Sequence, residues 1–162
     1  MIEDNRPSSI NATAIAQSSQ LQVASDLTAL DPVLVWFDQL CLPGMSGPAW
    51  SHFWVQCKTV LAEGFTNAVR HAHKGYPRET LVTIAVTFQA QGIEICIWDS
   101  GPPFDFQQKL KELQAQHDLY ADGGRGLMIM DSLADRLEYC RLPDRRNCLR
   151  VLKSYPVEGT SI

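Results

Sequence analysis

Three groups of residues in this sequence have types and spacings that could do chemistry. The first is Glu63, Asn67 and His71, set four residues apart, which on a helix share one face. A carboxylate there can take a proton from an attacking hydroxyl or water. The Asn67 carboxamide, one turn away, offers a neutral oxygen to a hard cation such as Mg²⁺. The second is Asp99-Ser100-Gly101. An Asp just past a buried strand can accept a hydrogen bond from an exocyclic amine such as that of adenine, and a glycine beside it lets a flat ring approach the backbone. The third is Gly123-Gly124-Arg125-Gly126, followed by the apolar Leu127 to Met130. Glycines ahead of a helix expose backbone N–H groups at the positive end of its dipole, which is an anion site. Arg125 adds a bidentate phosphate partner. The G-x-x-x-x-G-K-S/T spacing of a Walker loop is absent. No strand leads directly into the glycines, as a dinucleotide fingerprint requires.

Any one of these groups could be an ordinary solvated helix face or turn, so the elements that carry them decide their weight. A long helix is expected over about 47–73, with an apolar stripe of Trp50, Phe53, Trp54, Cys57, Leu61, Phe65, Ala68 and Ala72 at three- and four-residue steps. That stripe packs on a sheet and leaves Glu63 and Asn67 on the other face. Gly75-Tyr76-Pro77 ends the helix. Leu81 to Phe88 and Ile93 to Trp98 read as a β-hairpin, and Asp99 terminates its second strand. Residues 105–117 form a polar helix with Leu110 and Leu113 as its core positions. A helix over 127–133 comes after the glycines. A last hairpin turns at Pro143 to Arg146.

Ahead of all this, alternation at Leu21, Val23, Ser25 and Leu27 suggests a first strand. Asp31-Pro32 supplies an N-cap and first residue for a helix reaching Leu40. Residues 1–18 lack apolar period and read as a tail, 19–157 as one domain, and 158–162 as a C-terminal tail. Blocks of helices and hairpin-linked strands predict an α+β fold: a two-layer sandwich with a mostly antiparallel sheet and helices on one face.

Composition narrows the class. The chain has 162 residues, enough for one core, with 45% hydrophobic residues and a formal charge of −4. That charge excludes the basic footprint of a general nucleic-acid binder. No apolar run approaches the roughly 20 residues that cross a bilayer, and Met1-Ile2-Glu3-Asp4 does not open a signal peptide. The five cysteines form no C-x-x-C pair, which favours reduced thiols and a cytoplasmic setting over a disulfide framework. Cys96 and Cys148 read as small core hydrophobes. Arg141, Arg145, Arg146, Arg150 and Lys153 on the last hairpin read as a solvated face, and secondarily as a docking surface for an acidic partner.

In order, the chain carries a cation-and-base helix, an adenine-type Asp, a polar segment and phosphate glycines. These residues resemble the GHKL ATPases. The E-x-x-x-N pattern of that superfamily is Glu63 to Asn67, its first glycine box is Asp99-Ser100-Gly101, and its second is Gly123 to Leu127. The wording of Thr66 to His73, Asp99 to Asp105 and Gly123 to Leu127 is most similar to the anti-sigma-factor serine/threonine kinases of the RsbW and SpoIIAB type. The resemblance covers about residues 20–155. It implies a Bergerat-fold site for ATP, with Asn67 on Mg²⁺, Glu63 as catalytic base and Asp99 on adenine. Gly124, Arg125 and Gly126 would surround the phosphates. His71, Gly101 and Leu127 would complete the nucleotide contacts, and residues 102–122 would be the lid.

Two positions depart from the pattern. Pro103 stands where the first box has a second glycine. The last strand, Leu149 to Lys153, lacks the Thr that supports the adenine-binding Asp, so Asp99 is expected to lean on water or Ser100. The resemblance further implies a Ser/Thr protein kinase acting on an anti-anti-sigma partner of the STAS fold, binding a sigma factor, and forming a homodimer. A non-catalytic ATP-holding module is the first alternative. A histidine-kinase catalytic domain is the second, with His52 the only histidine upstream of the helix motif.

Overall fold

The computed structural model describes residues 17–116 and 124–157. Most of the two expected tails, Gly123, and residues 117–122 of the expected lid lie outside the described residues.

Among the described residues, five strands build one sheet: β1 (Gln17–Ala24), β2 (Leu81–Phe88), β3 (Gly92–Asp99), β4 (Arg136–Arg141) and β5 (Asn147–Ser154), in the order β1-β2-β3-β5-β4. Every neighbouring pair is antiparallel. The helices are α1 (Leu30–Asp38), α2 (Pro48–Asn67), α3 (Phe106–Gln116) and α4 (Arg125–Leu133). They pack on one face, so the α+β sandwich expected from the blocks of strands and helices is what the chain forms.

The period-2 pattern explains which face is covered. Val82, Ile84, Val86, Ile93, Ile95, Ile97, Leu149 and Val151 alternate along β2, β3 and β5. They form one core with Phe53, Cys57, Leu61 and Phe65 of α2 and Met130 of α4. Gly64 lets α2 lie close on the sheet: a Cβ there would meet Ile97 Cδ1 at 2.5 Å. Cys96 and Cys148 depart from expectation. Both are buried, yet their strand positions put them on the opposite face from Ile95, Ile97, Leu149 and Val151. Neither belongs to the core cluster, and Cys96 Sγ lies 3.8 Å from Glu94 Oε1 on that outer face.

Local start and stop signals explain the other shifts. β1 begins at Gln17, which pairs with Phe88, so it reaches into the stretch expected as tail and ends before Leu27. Asp31 does not cap α1. Asp26 accepts from the Thr28 N–H at 3.0 Å and opens a 3-10 turn, Leu27–Ala29, that runs into α1. The long helix does not continue straight to residue 73. After Asn67 it widens into a π turn, Ala68–Ala72, closed by the His73 N–H donating to the Ala68 carbonyl at 2.9 Å. One extra residue per turn rotates the positions beyond it by about 100° relative to a straight helix. Gly75, at φ +82, then ends it.

Most cations of the last hairpin are engaged within the domain. Arg150 pairs with Glu94 and Glu138, Arg146 with Asp144, and Lys153 Nζ donates to the Leu133 carbonyl at the end of α4 at 2.6 Å.

Candidate active site

A cleft of about 700 Å³ opens between α2 with its π turn, the ends of β3 and β4, the residues entering α3, and the start of α4. Glu63, Asn67, His71, Asp99, Gly124, Arg125, Gly126 and Leu127 all line it, together with Arg70 and Lys109. Residues scattered over 65 positions of sequence are thus brought to one cavity. Gly101 lies beside it and packs on the π turn. A Cβ at 101 would sit 2.5 Å from the Ala72 carbonyl oxygen. Because that neighbour is backbone, only glycine fits.

At the inner end, Glu63 and Asn67 face the start of α4. A Cβ on Gly126 would fall 2.5 Å from Glu63 Oε2 and 3.6 Å from Asn67 Oδ1. The absence of a side chain therefore lets the helix N-terminus approach both groups. Gly124 is the N-cap of α4, and among the described residues no side chain caps that first turn, which leaves its N–H groups available to an anion there. Arg125 projects from the same turn and is exposed. Asn67 Nδ2 is buried and, among the described residues, has no hydrogen-bond partner. A buried amide left unmatched is unfavourable by roughly 1–3 kcal/mol and marks a place where a ligand, ion or water completes the bonding.

At the other end, Asp99 is 4% exposed and held by three donors. Its Oδ1 accepts from the Gly101 N–H at 2.9 Å and from Asn147 Nδ2 at 2.7 Å, and its Oδ2 accepts from Tyr139 Oη at 3.0 Å. This corrects the expectation that Asp99 leans on water or Ser100. The support comes from the last two strands, though from Asn147 and Tyr139 and not from a threonine. Asn147, 1% exposed, also donates to the Gly101 carbonyl, and Arg141 Nη1 donates to that carbonyl at 2.6 Å and to Asn147 Oδ1 at 3.0 Å. Arg141, although exposed, is therefore hydrogen-bonded into this clamp.

Two further residues, His73 and Phe106, are given no role by the sequence. His73 is buried where the rotated helix end meets β3. Its Nε2 accepts from the Ser100 N–H at 2.8 Å, so Nδ1 carries the proton and donates to Ser25 Oγ at 2.9 Å. His71, the histidine expected in the site, is exposed at the cleft wall. Phe106, at the start of α3, is buried and stacks on Tyr139 with centroids 5.7 Å apart, which fixes the near end of the expected lid.

Burial holds the His73 imidazole below the ordinary histidine value of 6.5, against the opposing pull of Asp99. Between the folded and unfolded values the unfolded chain takes up a proton that the folded one refuses. Stability is therefore complete above about pH 6.5 and falls as the pH drops below it. Melting temperature measured from pH 7.5 to 5.5 should stay level and then decline. His73→Gln, which keeps an acceptor for Ser100 and cannot protonate, should flatten the decline; an equal decline in both proteins would remove His73 as its source.

Residues 23–153 match the family described as a histidine kinase-like ATPase domain. The chain belongs to that family. Within it, the chain is similar to proteins named serine-protein kinase RsbW. It is 38% identical to the one from Bacillus pumilus over 87 residues, covering 50% of this chain and 54% of that relative. To the one from Bacillus subtilis it is 34% identical over 85 residues, covering 49% and 52%. To the one from Staphylococcus aureus it is 29% identical over 91 residues, covering 53% and 57%. The chain spans about half the length of these curated relatives. Among the described residues no helix is long and apolar enough to cross a membrane.

Proposed function

We propose that this domain is a serine/threonine protein kinase of the anti-sigma-factor class. In this reading it binds Mg-ATP, transfers the γ-phosphoryl group to a Ser or Thr of an anti-anti-sigma partner of the STAS fold, and in its other state holds a sigma factor. The observation that carries the reading is the meeting of Glu63, the unsatisfied amide of Asn67 and the open N-terminus of α4 at Gly126. This meeting lies in the same cleft as a buried, clamped Asp99.

The residues present fit a magnesium–phosphate group. The Asn67 carboxamide can turn about its terminal bond to present oxygen where its nitrogen now lies unmatched, and Glu63 stands beside it. Bound there, Mg²⁺ would neutralise phosphate charge. The α4 N–H groups and Arg125 would hold the phosphate oxygens and stabilise the charge of transfer. Lys109, on the face of α3 that lines the cleft, would add a cation from the lid side. Glu63 would take the proton of the attacking hydroxyl, and Asp99 would accept the exocyclic amine of adenine.

A non-catalytic ATP-holding module is favoured by one observation. Pro102 and Pro103 line the cleft where the lid begins, and proline fixes backbone that a closing lid would flex. Calorimetry with ATP tests the shared part of both readings. Binding should weaken on removing Mg²⁺ and weaken in Asn67→Ala; ATP binding indifferent to both would count against this use of Asn67.

A further inference from the structure

The clamp on Asp99 also says which purines the cleft takes, an inference that rests on the nucleotide-binding reading. A carboxylate offers about four lone-pair sites. On Asp99, Oδ1 already receives two donors, Gly101 N–H and Asn147 Nδ2, and Oδ2 receives one, Tyr139 Oη. One site is left, on Oδ2. Asp99 is almost wholly buried, so that site is reached from the cleft that Asp99 and Tyr139 both line.

The Tyr139 hydroxyl has a single hydrogen, and it points to Asp99. Burial, and after it the charge of Asp99, hold this phenol protonated well above the ordinary tyrosine range. Toward the cleft the phenol oxygen therefore offers lone pairs only. The ring cannot swing aside freely. Phe106 stacks on it at 5.7 Å with the planes 26° apart, and Phe104 abuts it edge-on at 6.2 Å and 77°. The base end of the cleft thus holds two acceptors, Asp99 Oδ2 and Tyr139 Oη, fixed 3.0 Å apart.

We propose that Tyr139 is a specificity-determining residue, and that with Asp99 it selects purines bearing an unsubstituted 6-amino group. A primary amine can give one hydrogen to each oxygen, through bonds bent by roughly 30° but within the working range of hydrogen-bond angles. A 6-keto group meets two acceptors with no donor and is rejected. An N6-methylated amine keeps one hydrogen and an N6,N6-dimethylated amine keeps none. Asp99 alone would accept one hydrogen and leave the second unread, so the stepwise penalty for methylation is the signature of Tyr139.

The test is the affinity of wild type and Tyr139→Phe for ATP, N6-methyl-ATP, N6,N6-dimethyl-ATP and GTP, with melting temperatures recorded alongside. Wild type should lose affinity in steps, by about three- to tenfold for the first methyl and more for the second, with GTP weak. Tyr139→Phe should lose about the same three- to tenfold for ATP and bind ATP and N6-methyl-ATP nearly alike. Should the variant fail to fold, the stepwise wild-type series still decides, since equal affinity for ATP and N6-methyl-ATP overturns the proposal. An unchanged ATP to N6-methyl-ATP ratio in a folded Tyr139→Phe also overturns it. So does tighter ATP binding by that variant, which would mean that Tyr139 competes for Asp99. If wild type binds none of the four nucleotides, the nucleotide reading itself falls; binding without discrimination removes only the role of Tyr139.

Discussion

Glu63→Gln should slow phosphoryl transfer by about 10²–10⁴-fold, the usual loss when a general base is removed, while leaving Mg-ATP affinity close to wild type. The substitution keeps the volume that fits against Gly126, where a single Cβ would already stand 2.5 Å from Glu63 Oε2, so the start of α4 should not shift. It also keeps most hydrogen-bonding capacity and removes only the ability to take up the proton. A variant that lost transfer and nucleotide affinity in parallel would place Glu63 among the binding groups. A variant that transferred at the wild-type rate would remove it from the chemistry altogether.

Asp99→Asn should weaken ATP by about 10- to 150-fold, the equivalent of one charge-assisted hydrogen bond to ligand. Its effect on folding should be smaller, for a reason visible only in the clamp. The carboxamide oxygen can still accept from Gly101 and Asn147, and the Tyr139 hydroxyl can turn to accept from the new amide. Asp99→Ala has no such escape. It removes the acceptor of the Gly101 N–H and of one hydrogen of the Asn147 amide, buried at 1% exposure, leaving that amide its bond to the Gly101 carbonyl, and should lower the melting temperature distinctly more than Asp99→Asn does. Denaturation of the two variants beside wild type, with nucleotide titrations, separates the ligand contact from the structural one. Wild-type ATP affinity in Asp99→Asn would deny Asp99 its place at the base.

The contrast between Asp99 and its supports shows what could be read along the chain. Glu63 and Asn67 share a helix, and their spacing states their common direction. Asp99 ends an apolar strand, and Gly124 to Gly126 precede a helix. Each is a local pattern, and the hairpins arise equally from local runs and turns. Asn147 and Tyr139 reach Asp99 across 48 and 40 residues. Their approach depends on how β5 pairs with β3 and β4, with Asn147 opposite Asp99. No periodicity within either strand encodes that register, although a polar Asn147 in phase with the apolar Leu149 and Val151 was a signal available in the sequence. His73 was hidden by the π turn. A 3.6-residue period carried on from Asn67 gives the wrong direction beyond Ala68, because the chain there closes its hydrogen bond over five residues. Cys96 and Cys148 show a third reason: small residues on an open sheet face can be buried by their neighbours as thoroughly as core residues.

Movement of a phosphoryl group from this cleft to a protein hydroxyl is measured by single-turnover transfer from ATP labelled at the γ-position to a STAS-domain protein of the same host, with Mg²⁺ present. Label is expected on a Ser or Thr of that protein, lost when Mg²⁺ is chelated and slowed by about 10²–10⁴-fold in Glu63→Gln. Firm ATP binding with no label on any STAS-domain protein of the host would contradict it, and would leave this domain as a module that holds ATP without transferring phosphate.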